Sequence, residues 1–159
     1  MKRKKIIKIS LIVVLAILVV AGGTAFYIFN MPHRDVQQTK SDFSYTSNEI
    51  VAEYLKDPEA ANQKYLDEEG ESKIFEITGN VAEVSTDFNG QTVVLLQSEG
   101  SPAGVSCTFP KDLNEAATTF EVGQSITVKG VIRAGAGYNE DLEMYENVIL
   151  DKCSIITSI

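Results

Sequence analysis

The chain has no tryptophan, one histidine and two cysteines among its 159 residues. Those numbers exclude a zinc site built from four His and Cys ligands of one chain, a haem-attachment motif and a cysteine-ligated iron–sulfur cluster. The histidine is His33, so nucleophilic catalysis through Ser-His-Asp or Cys-His has no imidazole in the remaining 126 residues. Gly135-x-Gly137 lacks the third glycine and the strand-to-helix setting of a dinucleotide fingerprint. Paired carboxylates of the kind that cleave glycosides are not singled out when 22 acids are present. Neither an enzymatic activity nor a cofactor or metal is expected.

Positive charge is equally scarce over most of the chain. Five of the 14 basic residues (Lys2, Arg3, Lys4, Lys5, Lys8) precede Phe29, and all 22 acidic ones follow it. The rest therefore sets nine basic against 22 acidic residues, a formal charge of −13. Affinity for phosphate backbones comes mostly from Lys and Arg displacing counterions, so nucleic acid is not the expected partner.

What the sequence does have is one long uncharged run. Ile9 to Phe29 is 21 residues without a charge, and as a helix it would reach about 32 Å, the depth of a bilayer's hydrocarbon core. Basic residues precede it and the first one after it is Arg34. The positive-inside rule then sets a cytoplasmic tail over 1–8, a transmembrane signal-anchor over 9–29 and everything later outside the cytoplasmic membrane. Phe26, Tyr27 and Phe29 would form an aromatic belt at the outer interface. A competing reading is a signal peptide cleaved at Gly23-Thr24-Ala25; the apolar run continues four residues past Ala25, which favours the uncleaved anchor. Either way the domain is extracytoplasmic.

Residues 30–45 are polar and without periodicity, a linker in which His33 would be solvated. A helical segment follows over 46–72. Thr46-Ser47-Asn48-Glu49 has the form of a capping box before Ile50, Val51, Tyr54 and Leu55. Asp57-Pro58-Glu59 restarts the pattern, with Ala61 and Tyr65 on one face. The acidic run Asp67-Glu68-Glu69-Gly70-Glu71 lacks EF-hand spacing and reads as a solvated turn rather than a calcium site.

From Lys73 the period changes from 3.6 to 2. Strands are expected around Phe75–Val84, Thr92–Leu96, Val105–Phe109, Ile126–Ile132 and Val148–Ile155, with Gly79 marking a bend or bulge in the first. Asp87-Phe88-Asn89-Gly90 turns between the first two, and 134–141 is a loop between the last two. Leu113, Ala116, Ala117 and Phe120 give a helix between the third and fourth strands. Five strands with that helix inserted fit a mainly β fold, a five-stranded Greek-key OB-fold barrel over 73–159 that closes its own edges.

Residues from about 46 to 156 resemble the bacterial membrane-anchored OB-fold family named for its likeness to tRNA-anticodon-binding domains, tRNA anti-like. The likeness rests on Asp57-x3-Ala61-x3-Tyr65, Phe75-x-Ile77-x-Gly79-x-Val81-x2-Val84, Val105-x-Cys107-x-Phe109, Val122-Gly123-Gln124-x-Ile126-x-Val128-x-Gly130 and Leu150-x2-Cys153-x-Ile155. The stretch from Gly130 to Leu150 is longer than the family's usual compact loop. The family name does not license tRNA binding, because fold and function separate.

Two sets of residues stand out. Cys107 and Cys153 fall on the third and fifth strands, which are neighbours in an OB barrel. A disulfide between them would close a loop of 46 residue steps, worth about 4 kcal/mol in the chain-entropy model; two separate core thiols are the alternative, and a bulge is needed before Leu150 and Cys153 both face inward. Phe88, Tyr138, Asn139, Glu140 and Asp141 lie on the two loops that flank the ligand face of an OB barrel. Gly135 and Gly137 would leave the longer loop free to close over a partner, and the three polar residues would offer acceptors to a basic peptide or sugar hydroxyls. The expected function is a membrane-anchored binding module for an envelope protein, peptide or glycan. Single-stranded nucleic-acid binding and a structural role in a membrane complex are the alternatives.

Overall fold

The computed structural model describes residues 2–29 (side chains over 13–27), 35–67, 71–111 and 120–156. The chain divides into two compact units, 1–34 and 35–159.

The first unit is helix α1, Lys2–Phe29. Its large side chains from Val13 to Tyr27 are exposed, and Thr24 satisfies its hydroxyl by donating to the Val20 carbonyl one turn back (2.8 Å). No helix among the described residues is long and apolar enough to cross a membrane; the α1 side chains described, 13–27, are fewer than the ~20 residues a span needs.

The second unit is a closed five-stranded barrel. Its strands are β2 (Ile74–Thr86), β3 (Thr92–Leu96), β4 (Val105–Phe109), β5 (Ser125–Ala134) and β8 (Val148–Ile155). β2 pairs with β3, β3 with β4, β4 with β8, β8 with β5, and β5 returns to β2. Only β4–β8 is parallel within this ring. That is the ring order of an OB-fold, and closure leaves no barrel edge unpaired. Alternation does the rest. Thr92, Val94 and Leu96, then Val105, Cys107 and Phe109, then Val148, Leu150 and Cys153 point into one core. Phe75 and Ile77 of β2 join it opposite Gly130 and Val128 of β5.

Helix α2 (Ser47–Lys56) and helix α3 (Pro58–Tyr65) pack their apolar faces on that core through Ile50, Val51 and Tyr54, and through Ala61 and Tyr65. The capping box forms: Thr46 Oγ1 accepts from Glu49 N, and Glu49 Oε2 accepts from Thr46 N. Such a cap is worth about 1 kcal/mol. Asp57 caps α3 through Ala60 N, with Pro58 in the first turn.

Three expectations are corrected. The stretch 30–45 is not a free linker from Asp35 onward: Val36 is buried on Ile74 and Val131, covering the outer face of the β2–β5 pair, and Phe43–Thr46 form strand β1, parallel to β2. Alternation in the sequence could not reveal this, because β1 is four residues long and half polar. Gly79 is not the bulge, which lies between Val81 and Glu83; at Gly79 a Cβ would come within 2.8 Å of Ser47 Oγ, so the glycine lets α2 approach the strand. The stretch 134–141 is not a plain loop. It enters a two-stranded hairpin of β6 (Gly137–Asn139) and β7 (Met144–Glu146). The bulge that an inward-facing Cys153 requires is present in β8 and places Lys152 in the left-handed region (φ 53°), a cost of about 1–2 kcal/mol for a residue with a Cβ.

The helix expected at 112–119 and the centre of the acidic run, 68–70, lie outside the described residues, as does His33. Phe120, at the end of the first of these, is described and packs against Phe109 with ring centroids 6.2 Å apart.

Candidate functional site

The segment that is long for an OB-fold, between β5 and β8, builds the β6–β7 hairpin. Asn139 makes its turn: the side-chain oxygen accepts from Asp141 N (3.0 Å) and Leu142 N (3.1 Å), and the amide donates to Glu146 Oε1 (2.8 Å). Asn139 is therefore an internal brace and not the free acceptor the sequence suggested. Glu143 takes the left-handed conformation that closes the turn (φ 52°). Tyr138 and Tyr145 are cross-strand partners, packed edge to face at 5.0 Å. They stay 54% and 41% exposed, and Leu142 and Met144 beside them are exposed as well. Glu140, Asp141, Glu143 and Glu146 lie between them, and the segment 135–147 has no Lys or Arg.

The hairpin is anchored at its base rather than swinging on glycines. Ala136 is buried, and Gly135 lies flat on the ring of Tyr54, where any Cβ would fall inside that ring. Tyr54 is itself fully buried, and its hydroxyl is the one buried side-chain polar atom among the described residues without a partner. Burial first, and the nearby Glu53 carboxylate second, push its pKa up to about 12. The phenol therefore stays neutral, and its orphaned hydroxyl costs about 1–3 kcal/mol, set against the burial of its ring in the core. Asn147 fixes the other leg by accepting from Gly104 N (2.8 Å).

Phe88 belongs to the opposite end. The 87–90 turn is held by Asp87, whose carboxylate accepts from Asn89 N and Gln91 N (both 2.8 Å), with Gly90 at φ 73°. Phe88 at its tip is fully exposed. The turn adjoins the Thr92–Phe109 end of the β3–β4 ladder, whereas the hairpin joins β8 beside the Leu96–Val105 end. The structure thus keeps Tyr138, Glu140 and Asp141 together and separates Phe88 from them. Between the two ends the outer face of β3 and β4 offers Val93, Leu95, Ser106 and Thr108, all half-buried, with no aromatic ring or base.

Tyr145, Leu142 and Met144 were not singled out in the sequence. The available signal was the pairing of Tyr138 with Tyr145 about an Asn-Glu-Asp turn, which needs the hairpin register to be recognised. On the far side of α3, a polar hollow of about 440 Å³ is lined by Asn62, Gln63, Leu66, Asp67, Ser72 and Arg133. Its guanidinium already leans on Asp151 (3.6 Å). Among the described residues no group of three or more His, Cys, Asp or Glu could hold a metal ion.

A second ordered cluster supports the helices. Glu53 accepts from Lys64 Nζ (2.8 Å) and from the Tyr65 hydroxyl (2.7 Å), which also meets the Tyr45 hydroxyl at 3.0 Å. Burial alone would raise the Glu53 pKa, but these bonds and the Lys64 charge hold it below its ordinary value. Phe43 and Phe75 stack beneath and Tyr65 meets both edge to face, at 4.9–5.5 Å between centroids.

With the barrel order and the long segment before β8 in view, comparison with known proteins decides the family. The tRNA_anti-like family model matches residues 1–142. The chain belongs to the tRNA_anti-like family. Among solved structures it is similar to a lipoprotein of Klebsiella pneumoniae subsp. pneumoniae to which nucleic-acid binding is ascribed. The TM-score is 0.53 at 12% identity, over 72% of this chain and 92% of that one. At that identity the likeness speaks for the fold alone. None of the curated proteins matches the chain.

Proposed function

We propose that this tRNA_anti-like protein is a non-enzymatic binding module, held on the outer face of the cytoplasmic membrane by α1. Its β6–β7 hairpin captures a basic segment of an envelope protein or peptide. The observation that carries the reading is the hairpin itself: two exposed tyrosines, a leucine and a methionine among four carboxylates, on a segment with no base. Exposed apolar surface of this kind marks an interaction site. The carboxylates would attract Lys and Arg, and the tyrosine faces would take their stems and charges. Anchoring is supported by the exposed apolar side chains of α1 and by the basic residues that precede its uncharged run.

A single-stranded nucleic acid is the second reading, favoured by the name of the Klebsiella protein. Against it stand the charge of −13 after Phe29 and a β3–β4 face without the aromatic and basic groups on which OB-folds stack bases.

The test is titration of the full-length protein in detergent with two probes at physiological salt. One is a labelled peptide alternating Lys or Arg with Leu and Phe; the other is an oligothymidylate. Saturable peptide binding that weakens with salt, with no oligonucleotide binding, is the expected result. Sub-micromolar oligonucleotide affinity without peptide binding would overturn the assignment. Protease added to intact spheroplasts should digest the domain, and full protection would refute the outward topology.

A further inference from the structure

Cys107 and Cys153 are the chain's two cysteines, and both are completely buried free thiols. They reach the core by different routes. Cys107 points inward by simple alternation on β4, where its Cα registers with Leu150 of β8. Cys153 lies three residues past Leu150, and strict alternation would turn it outward. The bulge at Lys152 restores it to the inside, where it is buried in the same core cluster as Cys107 on the neighbouring strand. Room for the second sulfur is made by a missing side chain. Gly130 lies under Cys153, and a Cβ there would come within 2.7 Å of Cys153 Sγ. A left-handed lysine and an empty β5 position thus both serve the inward placement of Cys153.

We infer that Cys107 and Cys153 are joined by a disulfide that staples β4 to β8, the one parallel seam of the barrel. In the cell this rests on the outward topology proposed above, because thiols persist in the cytoplasm and are oxidised outside it. The reaction is a two-electron exchange. One cysteine thiolate attacks a disulfide of an oxidised thiol–disulfide partner, forming a mixed disulfide and releasing one partner thiolate. The second cysteine thiolate displaces the other partner sulfur, so that the protein's S–S bond forms as the partner's S–S bond breaks, and the two protons given up by the cysteines end on the partner, which leaves as a dithiol. Buried thiols are inert to such a partner, so the exchange belongs to the folding chain, before the barrel closes over them.

The test begins with the purified full-length protein, unfolded and reduced, then refolded in detergent with a mixture of oxidised and reduced glutathione. The refolded chain should be lighter by two hydrogens, carry no glutathione and take up no alkylating label after denaturation. Folded protein reduced beforehand should keep both thiols in the same buffer. Two labelled thiols or a stable glutathione adduct in the refolded chain would overturn the proposal, wherever the protein resides. In cells, acid-quenched and denatured protein should likewise take no label when spheroplast proteolysis finds the domain outside; two labelled thiols there overturn it while leaving the topology intact. The Gly130 contact has its own check. Gly130→Ala should lower the melting temperature, and Cys153→Ala in the same chain should recover most of that loss. No recovery would remove the glycine from the argument.

Discussion

The two ends of the β3–β4 ladder both carry an aromatic on a turn, yet they are built differently. At one end a single exposed ring, Phe88, rides a four-residue turn closed by Asp87 and Gly90. At the other, Tyr138 has a cross-strand partner, an Asn139 brace and a base seated on Tyr54. A lone ring on a tight turn has no neighbours to hold its rotamer. The hairpin ring is fixed before any partner arrives, so less ordering is left to binding. That is why the hairpin and not the shorter turn is the capture surface we propose.

The seat on Tyr54 is where the contrast breaks most easily. Gly135→Ala should destabilise the domain by at least ~2 kcal/mol, because the new Cβ has only the Tyr54 ring to move into; chemical denaturation reads this. Gly90→Ala, at the other turn, strains only a left-handed backbone position and should cost about 1 kcal/mol. Equal losses at the two glycines would mean that the hairpin is no more firmly seated than the turn.

Next in size is the ring pair. Tyr138→Ala should lower stability by about 0.5–1.5 kcal/mol through loss of the edge-to-face contact, and should abolish capture of the basic peptide. Phe88→Ala should leave the melting temperature and the peptide affinity unchanged, since the ring is fully exposed. A binding loss at Phe88 equal to that at Tyr138 would make both ends one site.

Tyr54→Phe sharpens the same seat in the opposite direction. The ring that carries Gly135 is kept and the partnerless hydroxyl goes, so stability should rise, by about 1 kcal/mol. A loss would show that the hydroxyl has a partner in solution.

The smallest effect is on pH. Glu49 and Glu53 both titrate below their ordinary value of 4.5. In Glu49 the main cause is the bond from the Thr46 backbone; in Glu53 the bonds from Lys64 and Tyr65 overcome the effect of burial. A carboxylate whose folded pKa is depressed stabilises the fold above its unfolded value. That stability is lost as pH falls through the folded one. Acid below about pH 4.5 should therefore loosen α2, and with it the hairpin seated on Tyr54. Hydrogen exchange along α2 and at Ala136, followed as the pH falls, would read this, and Glu53→Gln should flatten the change.

Much of this was legible in the residues. Period-2 runs gave five strands in sequence, and their count forced closure, since an open sheet leaves two bare edges. The capping box at Thr46–Glu49, the Asp57-Pro58 restart and the glycine turns needed only local chemistry, and each is satisfied within a few residues of chain. The bulge required between Leu150 and Cys153 followed from alternation alone. The uncharged run from Ile9 and the excess of acidic over basic residues after it were decided by composition.

Tertiary structure decided what depended on distant partners. β1 is a strand only because β2 offers it a ladder, and Val36 is buried only because Ile74 and Val131 face outward beside it. Gly79, Gly130 and Gly135 look like flexibility in a sequence. Each turns out to be a site of close approach, by Ser47, Cys153 and Tyr54 respectively. Phe88 and Tyr138 read as two flanks of one site, but strand register put them at opposite ends and gave Tyr138 a partner in Tyr145 instead. Local propensity sets which backbone shapes a segment can take; which atoms lie across the gap is fixed only when the barrel closes.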